Sequence, residues 1–368
     1  MLEATTGELL ASAMWPLPDG ALLAAGSKEY RRNDITKPAI SERDLGMTEI
    51  SAPGSSGKIM TAIAAQSANP NNYYKKYFVE GVDQIEVGIE PTDSVDMDKA
   101  INKSSNCYFV SILNHQDLYP QLSDLYKTVG ISVDGVKPYF FYQSEFTDRG
   151  KESFDSHMAE RRTGGLRRYE KYTSMTRAQK REQVALRGKG KNALTMSVIS
   201  PIAWGQEIDA SPLSMARVAS VVANNGQFVP TRYFLDGSSG NPVSTGDPVQ
   251  IVSSKGAELI AKGMAHEARD GAVKVGINSS VVNNLHIGGK TGTPQITFYV
   301  DKKKMKRNDG WYIFFCDANG DGAPRKGGRL AIAVKVEWAS GSAASKIIAR
   351  DCIMEMVLKN DKIRYISY

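Results

Sequence analysis

The sequence predicts an α/β (α+β) protein in which one antiparallel sheet is assembled from both ends of the chain and an all-helical lobe is inserted between them. Three observations carry this. Strand-like residues stand at the extreme N-terminus, a second set crowds the final third, and the apolar spacing between them is helical. A chain of 368 residues, 41% hydrophobic and 23% charged, can bury two lobes sharing a cleft, which excludes a disordered or collagen-like protein. No run of 18 apolar residues occurs, so no membrane-spanning helix is expected, and Met1–Ala13 lacks the basic and apolar regions of a signal peptide. Three cysteines, Cys107, Cys316 and Cys352, are odd in number and far apart, which argues against a disulfide framework or a zinc site.

The elements follow in order. Met1–Ala13 reads as a hairpin: Leu2 starts a strand, Thr5-Thr6-Gly7 turns it, and Glu8–Ala11 runs back. Pro16, Pro18, Asp19 and Gly20 break the chain, and the polar stretch Lys28–Thr48 reads as loop. After Pro53-Gly54 a serine, Ser55, stands at the N-cap position of a small-residue apolar helix, whose alanines let it be buried all round. Asp96–Asn114 is a second helical pattern, and Pro212–Asn224 a third, opened by Pro212 and stopped by Asn225-Gly226. His286–Thr293, Trp311–Cys316 and Leu330–Trp338 read as strands between Gly, Asp and Asn turns. Ser345–Leu358 closes the chain as an amphipathic helix. The expected organisation is one domain over 1–368, with 1–54 and about 230–368 in a sheet lobe and about 55–229 in a helical lobe.

The net charge of +6 is local. Arg161 to Lys191 holds eleven Lys or Arg against two Glu, a balance of +9, which leaves −3 for the rest of the chain. That segment lies in a periodicity-poor insertion at about 148–191. Its only aromatics are Tyr169 and Tyr172, too few for the interleaved stacking that nucleic-acid binding uses, so a solvated insertion is expected and no nucleic-acid partner. Asp317-Ala318-Asn319-Gly320-Asp321-Gly322 imitates an EF-hand opening. The twelfth position is Gly328 where a bidentate Glu is needed, so it reads as a hairpin turn. His115, His157, His266 and His286 lack metal-ligand spacing, and neither a metal nor a cofactor is expected. Cys107 reads as a small buried helix residue.

Three short motifs carry chemistry. In Ser55-x-x-Lys58, residues three apart on a helix share a face, so the Lys58 amine can reach the Ser55 hydroxyl. A serine alcohol needs a base, and a desolvated lysine can serve as one, while the helix N-terminus offers N–H groups to an oxyanion. In Ser104-Ser105-Asn106, inside the second helical pattern, a hydroxyl and a carboxamide two apart can relay a proton and hold a substrate amide. In Gly289-Lys290-Thr291-Gly292-Thr293, on a strand, Lys290 supplies positive charge and the threonines can bind a carboxylate. Gly292 removes bulk so that an extended ligand can lie at the strand edge. Each motif alone is short enough to arise by chance.

Their conjunction, in this order, resembles the signature of the penicillin-binding protein transpeptidase domain (the serine D,D-transpeptidase family) and of class A β-lactamases. The flanks look like the former: Pro53-Gly54-Ser55-Ser56-Gly57-Lys58, Lys103-Ser104-Ser105-Asn106, Gly289 through Pro294-Gln295, Trp204-Gly205-Gln206 with Pro212-Leu213 and Met215-Ala216-Arg217, and Ala223-Asn224-Asn225-Gly226. The opening Thr6-Gly7-Glu8-Leu9-Leu10-Ala11 is similar to that domain's first hairpin, so the resemblance runs nearly end to end. It implies a β-lactamase/transpeptidase-like fold and a set of roles. Ser55 would be the acylated nucleophile, attacking the carbonyl between two D-Ala residues of a peptidoglycan stem peptide. Lys58 would be its general base, and Ser104 would pass the proton to the leaving amine with Lys290 nearby. Asn106 would bind the substrate amide. Lys290, Thr291, Gly292 and Thr293 would shape the carboxylate site, and the N–H groups of Ser55 and Thr293 the oxyanion hole. β-Lactam antibiotics would acylate Ser55 and persist.

Two departures stand out. Gly57 occupies a place where the family usually has a bulkier residue, which would loosen the first turn of the helix. Ser104 and Lys290 lie far apart in the chain, and the basic insertion supplies much of the excess. Because Met1 falls almost at the first strand, the chain reads as the final piece of a larger, exported, membrane-anchored parent. It would work at the extracytoplasmic face of the bacterial cytoplasmic membrane beside the cell-wall synthesis machinery. The alternatives are a D,D-carboxypeptidase, a β-lactamase and a non-catalytic β-lactam sensor. A β-lactamase would want a deacylating Glu, and no Glu-x-x-Leu-Asn element occurs.

Overall fold

A computed structural model of the chain describes residues 1–14, 46, 51–75, 95–131, 173–176, 178–179, 202–206, 208–232, 246–272, 276, 279–300, 303–317 and 328–353. The expectations for 28–48, the basic insertion, the Asp317–Gly322 turn beyond Asp317, and the closing helix beyond Ile353 fall largely or wholly outside these residues. In chain order the elements are β1 (Leu2–Glu3), a 3-10 turn (Gly54–Gly57), α1 (Lys58–Ala68), a second 3-10 turn (Pro70–Tyr73), α2 (Met97–Asn102), α3 (Asn106–His115), α4 (Tyr119–Val129) and α5 (Pro212–Ala223). After them come β2 (Gln227–Phe228), β3 (Val249–Gln250), α6 (Ser254–Ala272), α7 (Ser279–Asn284), β4 (Gly288–Gly292), β5 (Gln295–Val300), β6 (Lys303–Asn308), β7 (Gly310–Asp317), β8 (Arg329–Val336) and α8 (Ala343–Ile353).

The main sheet is antiparallel, in the order β1-β8-β7-β4, and so is built from both chain ends as the sequence predicts. Strand β7 is buried along its whole length, which explains its unbroken apolar run. Trp311, Ile313 and Phe315 face one core with the helices of the middle of the chain. Tyr312, Phe314 and Cys316 face a second core with Ala268, Val282, Ala349 and Ile353. The N-terminal hairpin is present: Leu2 bridges Leu9, Gly7 N donates to Glu3 O at 2.9 Å, and Leu2 pairs with Ala331. Its turn is held by the buried Glu3 carboxylate, which accepts from Thr5 Oγ1 at 2.8 Å and Thr6 N at 2.5 Å.

Helix α1 is buried from Lys58 to Gln66, which its small residues permit. Helix α5 begins at Pro212, as expected, and the structure adds a cap, Ser211, whose hydroxyl accepts from Ser214 N. The segment 96–114 differs from the single helix expected. It is two helices, α2 and α3, broken at Lys103–Ser105, because Ser104 adopts φ +55° and Ser105 caps α3 through its hydroxyl to Tyr108 N. Serine competes with helix continuation by bonding local backbone, and here that tendency wins.

The sequence reading passed over α6, the hairpin β5–β6, α4 and α7. Helix α6 packs closely on α2, and glycine makes this approach available. A Cβ at Gly263 would lie 3.1 Å from both Cβ and Cδ1 of Ile101. Replacing Gly263 by Leu should therefore force the two helices apart and destabilise the protein by about 1–3 kcal/mol, read as a lower urea midpoint. An unchanged midpoint would show that α2 gives way freely.

Candidate active site

Ser55 lies in the 3-10 turn that feeds α1, and not at the helix cap as expected. Pro53 is the cap of that turn and Gly57 the cap of α1, and no side chain makes a capping bond at either. The serine hydroxyl is thus not consumed by the helix terminus. The turn is fixed from outside. Ser51 exchanges both backbone bonds with Ala210, Gly54 N donates to Gly205 O at 3.0 Å, and Ser56 Oγ donates to Pro53 O at 2.8 Å. Gly54 and Gly205 have φ of +57° and +69°, and a Cβ on Gly205 would fall 2.4 Å from Gly54 O. Gly57 packs on the same residue, its hypothetical Cβ 3.0 Å from Gly205 Cα. The missing side chain at Gly57 therefore gives close packing against Gly205, and not the looser turn expected.

Lys58 is fully buried at the first turn of α1. Its Nζ lies 3.0 Å from Ser55 Oγ, 3.1 Å from Ser104 Oγ and 2.7 Å from Ser104 O, and it also donates to Asn106 Oδ1. One nitrogen thus joins three of the side chains singled out from the sequence. The break between α2 and α3 makes this geometry. With φ at +55°, Ser104 turns both its hydroxyl and its carbonyl to Lys58, and Asn106 follows at the first position of α3. A continuous helix would have bonded the Ser104 carbonyl within itself.

Strand β4 approaches from the other side. A Cβ at Gly292 would sit 2.2 Å from Pro53 O and 3.0 Å from Ser56 N. The space that glycine leaves is therefore filled by the protein's own serine-bearing turn and not by a ligand, which corrects the reason given from sequence. Two residues earlier, Lys290 is wholly buried, and its Nζ has no hydrogen-bond partner among the described residues. Burial holds its pKa down at about 8. Glu267 opposes that shift and Lys346 adds to it. Thr291, on the alternate face, donates its hydroxyl to Glu267 Oε1 at 3.0 Å, and Thr293 is exposed.

The structure thus gathers Ser55, Lys58, Ser104 and Asn106 around one amine, and sets Gly292 against the Ser55 turn. Lys290 makes no hydrogen bond to that cluster. Glu267 on α6 and Lys346 on α8 were missed, as was the part played by Gly205. A signal for Glu267 existed: Ala257, Ile260, Met264 and Ala268 form the buried stripe of α6, and a carboxylate falls beside it. Among the described residues no group of His, Cys, Asp and Glu could hold a metal, and no helix is long and apolar enough to cross a membrane.

A family model described as the penicillin binding protein transpeptidase domain matches residues 9–354. No curated protein matches the sequence. Among solved structures, penicillin-binding protein A of M. tuberculosis, as its ceftriaxone acyl-enzyme, superposes with a TM-score of 0.60 at 20% identity, covering 97% of this chain and 73% of that one. PBP2 of Pseudomonas aeruginosa gives 0.61 at 19% identity, covering 99% and 75%. The D,D-transpeptidase domain of a peptidoglycan glycosyltransferase from Eggerthella lenta gives 0.58 at 17% identity, covering 97% and 77%. These likenesses establish a shared fold.

The buried Lys290 has a consequence for stability. Below pH 8 the folded protein keeps a desolvated cation that the unfolded chain hydrates freely. Between about 8 and the usual lysine value the folded state has lost that proton while the unfolded state still holds it, so stability rises with pH across this window. Lys290→Met should abolish that rise, narrowing the pH 7 to pH 10.5 difference by roughly 3 kcal/mol in urea unfolding. Parallel stability curves for the two proteins would contradict a desolvated Lys290.

Proposed function

The chain belongs to the penicillin-binding protein transpeptidase domain family, and from that premise we propose that it is a serine D,D-transpeptidase that cross-links peptidoglycan stem peptides through an acyl-enzyme on Ser55. The observation that carries this reading is the set of partners around Lys58 Nζ. Two of them, Ser104 O and Asn106 Oδ1, can only accept. An unprotonated amine donates its two N–H bonds to these, which leaves its lone pair for a hydroxyl, Ser55 at 3.0 Å or Ser104 at 3.1 Å. A protonated amine donates a third bond to either hydroxyl. Both states fit without rearrangement, which suits a group that must take and return a proton.

The steps follow from this arrangement. Ser55 Oγ attacks the carbonyl carbon between two D-Ala residues as Lys58 Nζ accepts its proton, and the N–H groups of Ser55 and Thr293 receive the oxyanion. The C–N bond then breaks, and the proton passes from Lys58 through the Ser104 hydroxyl to the leaving D-Ala amine. An amine of a neighbouring stem peptide attacks the ester, loses its proton along the same route, and Ser55 recovers its hydroxyl. Asn106 holds the substrate amide, while Lys290 and Thr293 receive the terminal carboxylate. No metal or cofactor enters the scheme. β-Lactams acylate the same serine, and the fold neighbour from M. tuberculosis, solved as a ceftriaxone acyl-enzyme, supports that expectation. Since peptidoglycan lies outside the cytoplasm, the chain works there, in a membrane-anchored parent beside other cell-wall enzymes.

Two measurements test the reading. Wild-type protein incubated with a fluorescent penicillin should gain one stable adduct by intact mass, and Ser55→Ala should gain none. No wild-type adduct, or labelling that survives the substitution, would sink the assignment, and rapid loss of the adduct would point to a β-lactamase. The second-order acylation rate constant for a carboxylate-bearing penicillin should also fall above about pH 8, as free Lys290 loses the charge that receives the carboxylate. A rate that still climbs beyond pH 9 would remove Lys290 from that role.

A further inference from the structure

Thr291 is flanked by an arrangement that the three motifs do not contain. Glu267, on α6, is only 6% exposed, and its Oε1 accepts both the Thr291 hydroxyl at 3.0 Å and Lys346 Nζ at 3.2 Å. Its Oε2 is buried with no hydrogen-bond partner among the described residues. Lys346 is fixed in turn, with its Nζ 5.6 Å from the centre of the Tyr312 ring. A carboxylate paired to a lysine can accept hydrogen bonds but donate none, and a threonine hydroxyl has a single proton to donate. The Thr291 proton is therefore committed to Glu267. Only lone pairs remain on that oxygen for anything lying along the edge strand β4, the outermost strand of the described sheet.

We propose that Glu267 is a specificity-determining residue of the carboxylate subsite: by accepting the Thr291 O–H it makes Thr291 an acceptor toward the ligand, so the terminal carboxylate is recognised by Lys290 and Thr293 and not by Thr291. The inference rests on the transpeptidase reading above and revises the expectation from sequence that Thr291 helps to bind the carboxylate. A half-satisfied carboxylate is costly to bury. A purely architectural contact between α6 and β4 could be made by apolar side chains at no such cost, and the α6 stripe already supplies them. The chemistry also sets a direction. An oxygen that presents only lone pairs adds nothing to carboxylate binding, so the wild-type preference for a carboxylate is held below what a donating Thr291 would give.

The readout is the ratio of acylation rate constants for benzylpenicillin and its methyl ester, measured by competition with a fluorescent penicillin. Glu267→Ala frees the Thr291 hydroxyl to donate, and the ratio should rise at least fivefold. In the Glu267→Ala, Thr291→Val double variant that gain should disappear. Glu267→Gln keeps the acceptor oxygen, and its ratio should stay within twofold of wild type, as should that of Thr291→Val alone. A gain that survives in the double variant, or one that Glu267→Gln reproduces, would assign the effect to charge and overturn the hydrogen-bond role. A merely structural role would lower both rate constants together and leave every ratio unmoved, which also overturns it. If Glu267→Ala does not fold, Thr291→Val decides the matter, because a fall of more than fivefold in its ratio means that Thr291 donates to the carboxylate after all. Absence of any Ser55 adduct in the wild type would instead overturn the transpeptidase reading, and this inference with it.

Discussion

A lysine nitrogen buried at the first turn of α1 has to be surrounded by polar atoms, and the local structure of half the site meets that requirement. An amine removed from water without partners costs several kcal/mol, so Lys58 is tolerable only because Ser55, Ser104 and Asn106 converge on it. Convergence in turn requires a hydroxyl not used as a helix cap and a carbonyl not used inside a helix. The 3-10 turn at Gly54–Gly57 supplies the first, and the left-handed Ser104 the second. Ser104 at φ +55° carries about 1–3 kcal/mol of backbone strain, and its two contacts to Lys58 offset that cost.

The cluster alone would be half a cleft. Its opposite wall, β4, is held by absences of side chain: Gly292 against Pro53 and Ser56, and Gly205 against Gly54, bring three backbone segments closer than any Cβ allows. Helix α6 then ties the walls together. On one side it packs through Gly263 against Ile101 of α2, the helix that delivers Ser104. His266 adds a bond to Asp98 of the same helix at 2.6 Å. On the other side, one residue along, Glu267 reaches Thr291 of β4. The exposed pair Lys103–Asp270 contributes little beside these, since both partners stand in water. The relative position of Ser104 and the Lys290 strand is therefore a property of one helix that crosses behind both.

Much of this was legible in the sequence, and the limits were physical. The sheet from both termini, the buried α1, the ends of α5 and the three motifs follow from periodicity and from Gly, Pro and Ser at marked positions. Chemical type and order singled out Ser55, Lys58, Ser104 and Asn106, but not the geometry that joins them. Helix periodicity runs on through 96–114, and nothing in the apolar spacing reports that one serine turns left-handed. The glycines show the same gap. A sequence says that a Cβ is missing and not what fills its place, so Gly292 read as room for a ligand and Gly57 as slack. Glu267 escaped notice because its partner, Thr291, is 24 residues away and belongs to a motif that seemed complete.

The two buried lysines differ in their surroundings. Lys58 is surrounded by hydrogen-bond partners that fit its charged and neutral forms alike. Lys290 has the same burial and no hydrogen-bond partner among the described residues, with another cation, Lys346, among the groups that lower its pKa. A desolvated cation in that state gains from any anion that arrives, because the anion supplies both the missing partner and the missing charge. Groups of one chemical kind thus acquire different work from their surroundings. The amine enclosed by acceptors and hydroxyls suits proton transfer at the serine, and the amine left bare suits capture of a carboxylate. Glu267 stands beside the second of these amines: its charge partly compensates Lys290 and its Oε1 accepts the Thr291 hydroxyl, so the surroundings of Lys290 are shaped by a residue that belongs to none of the three motifs.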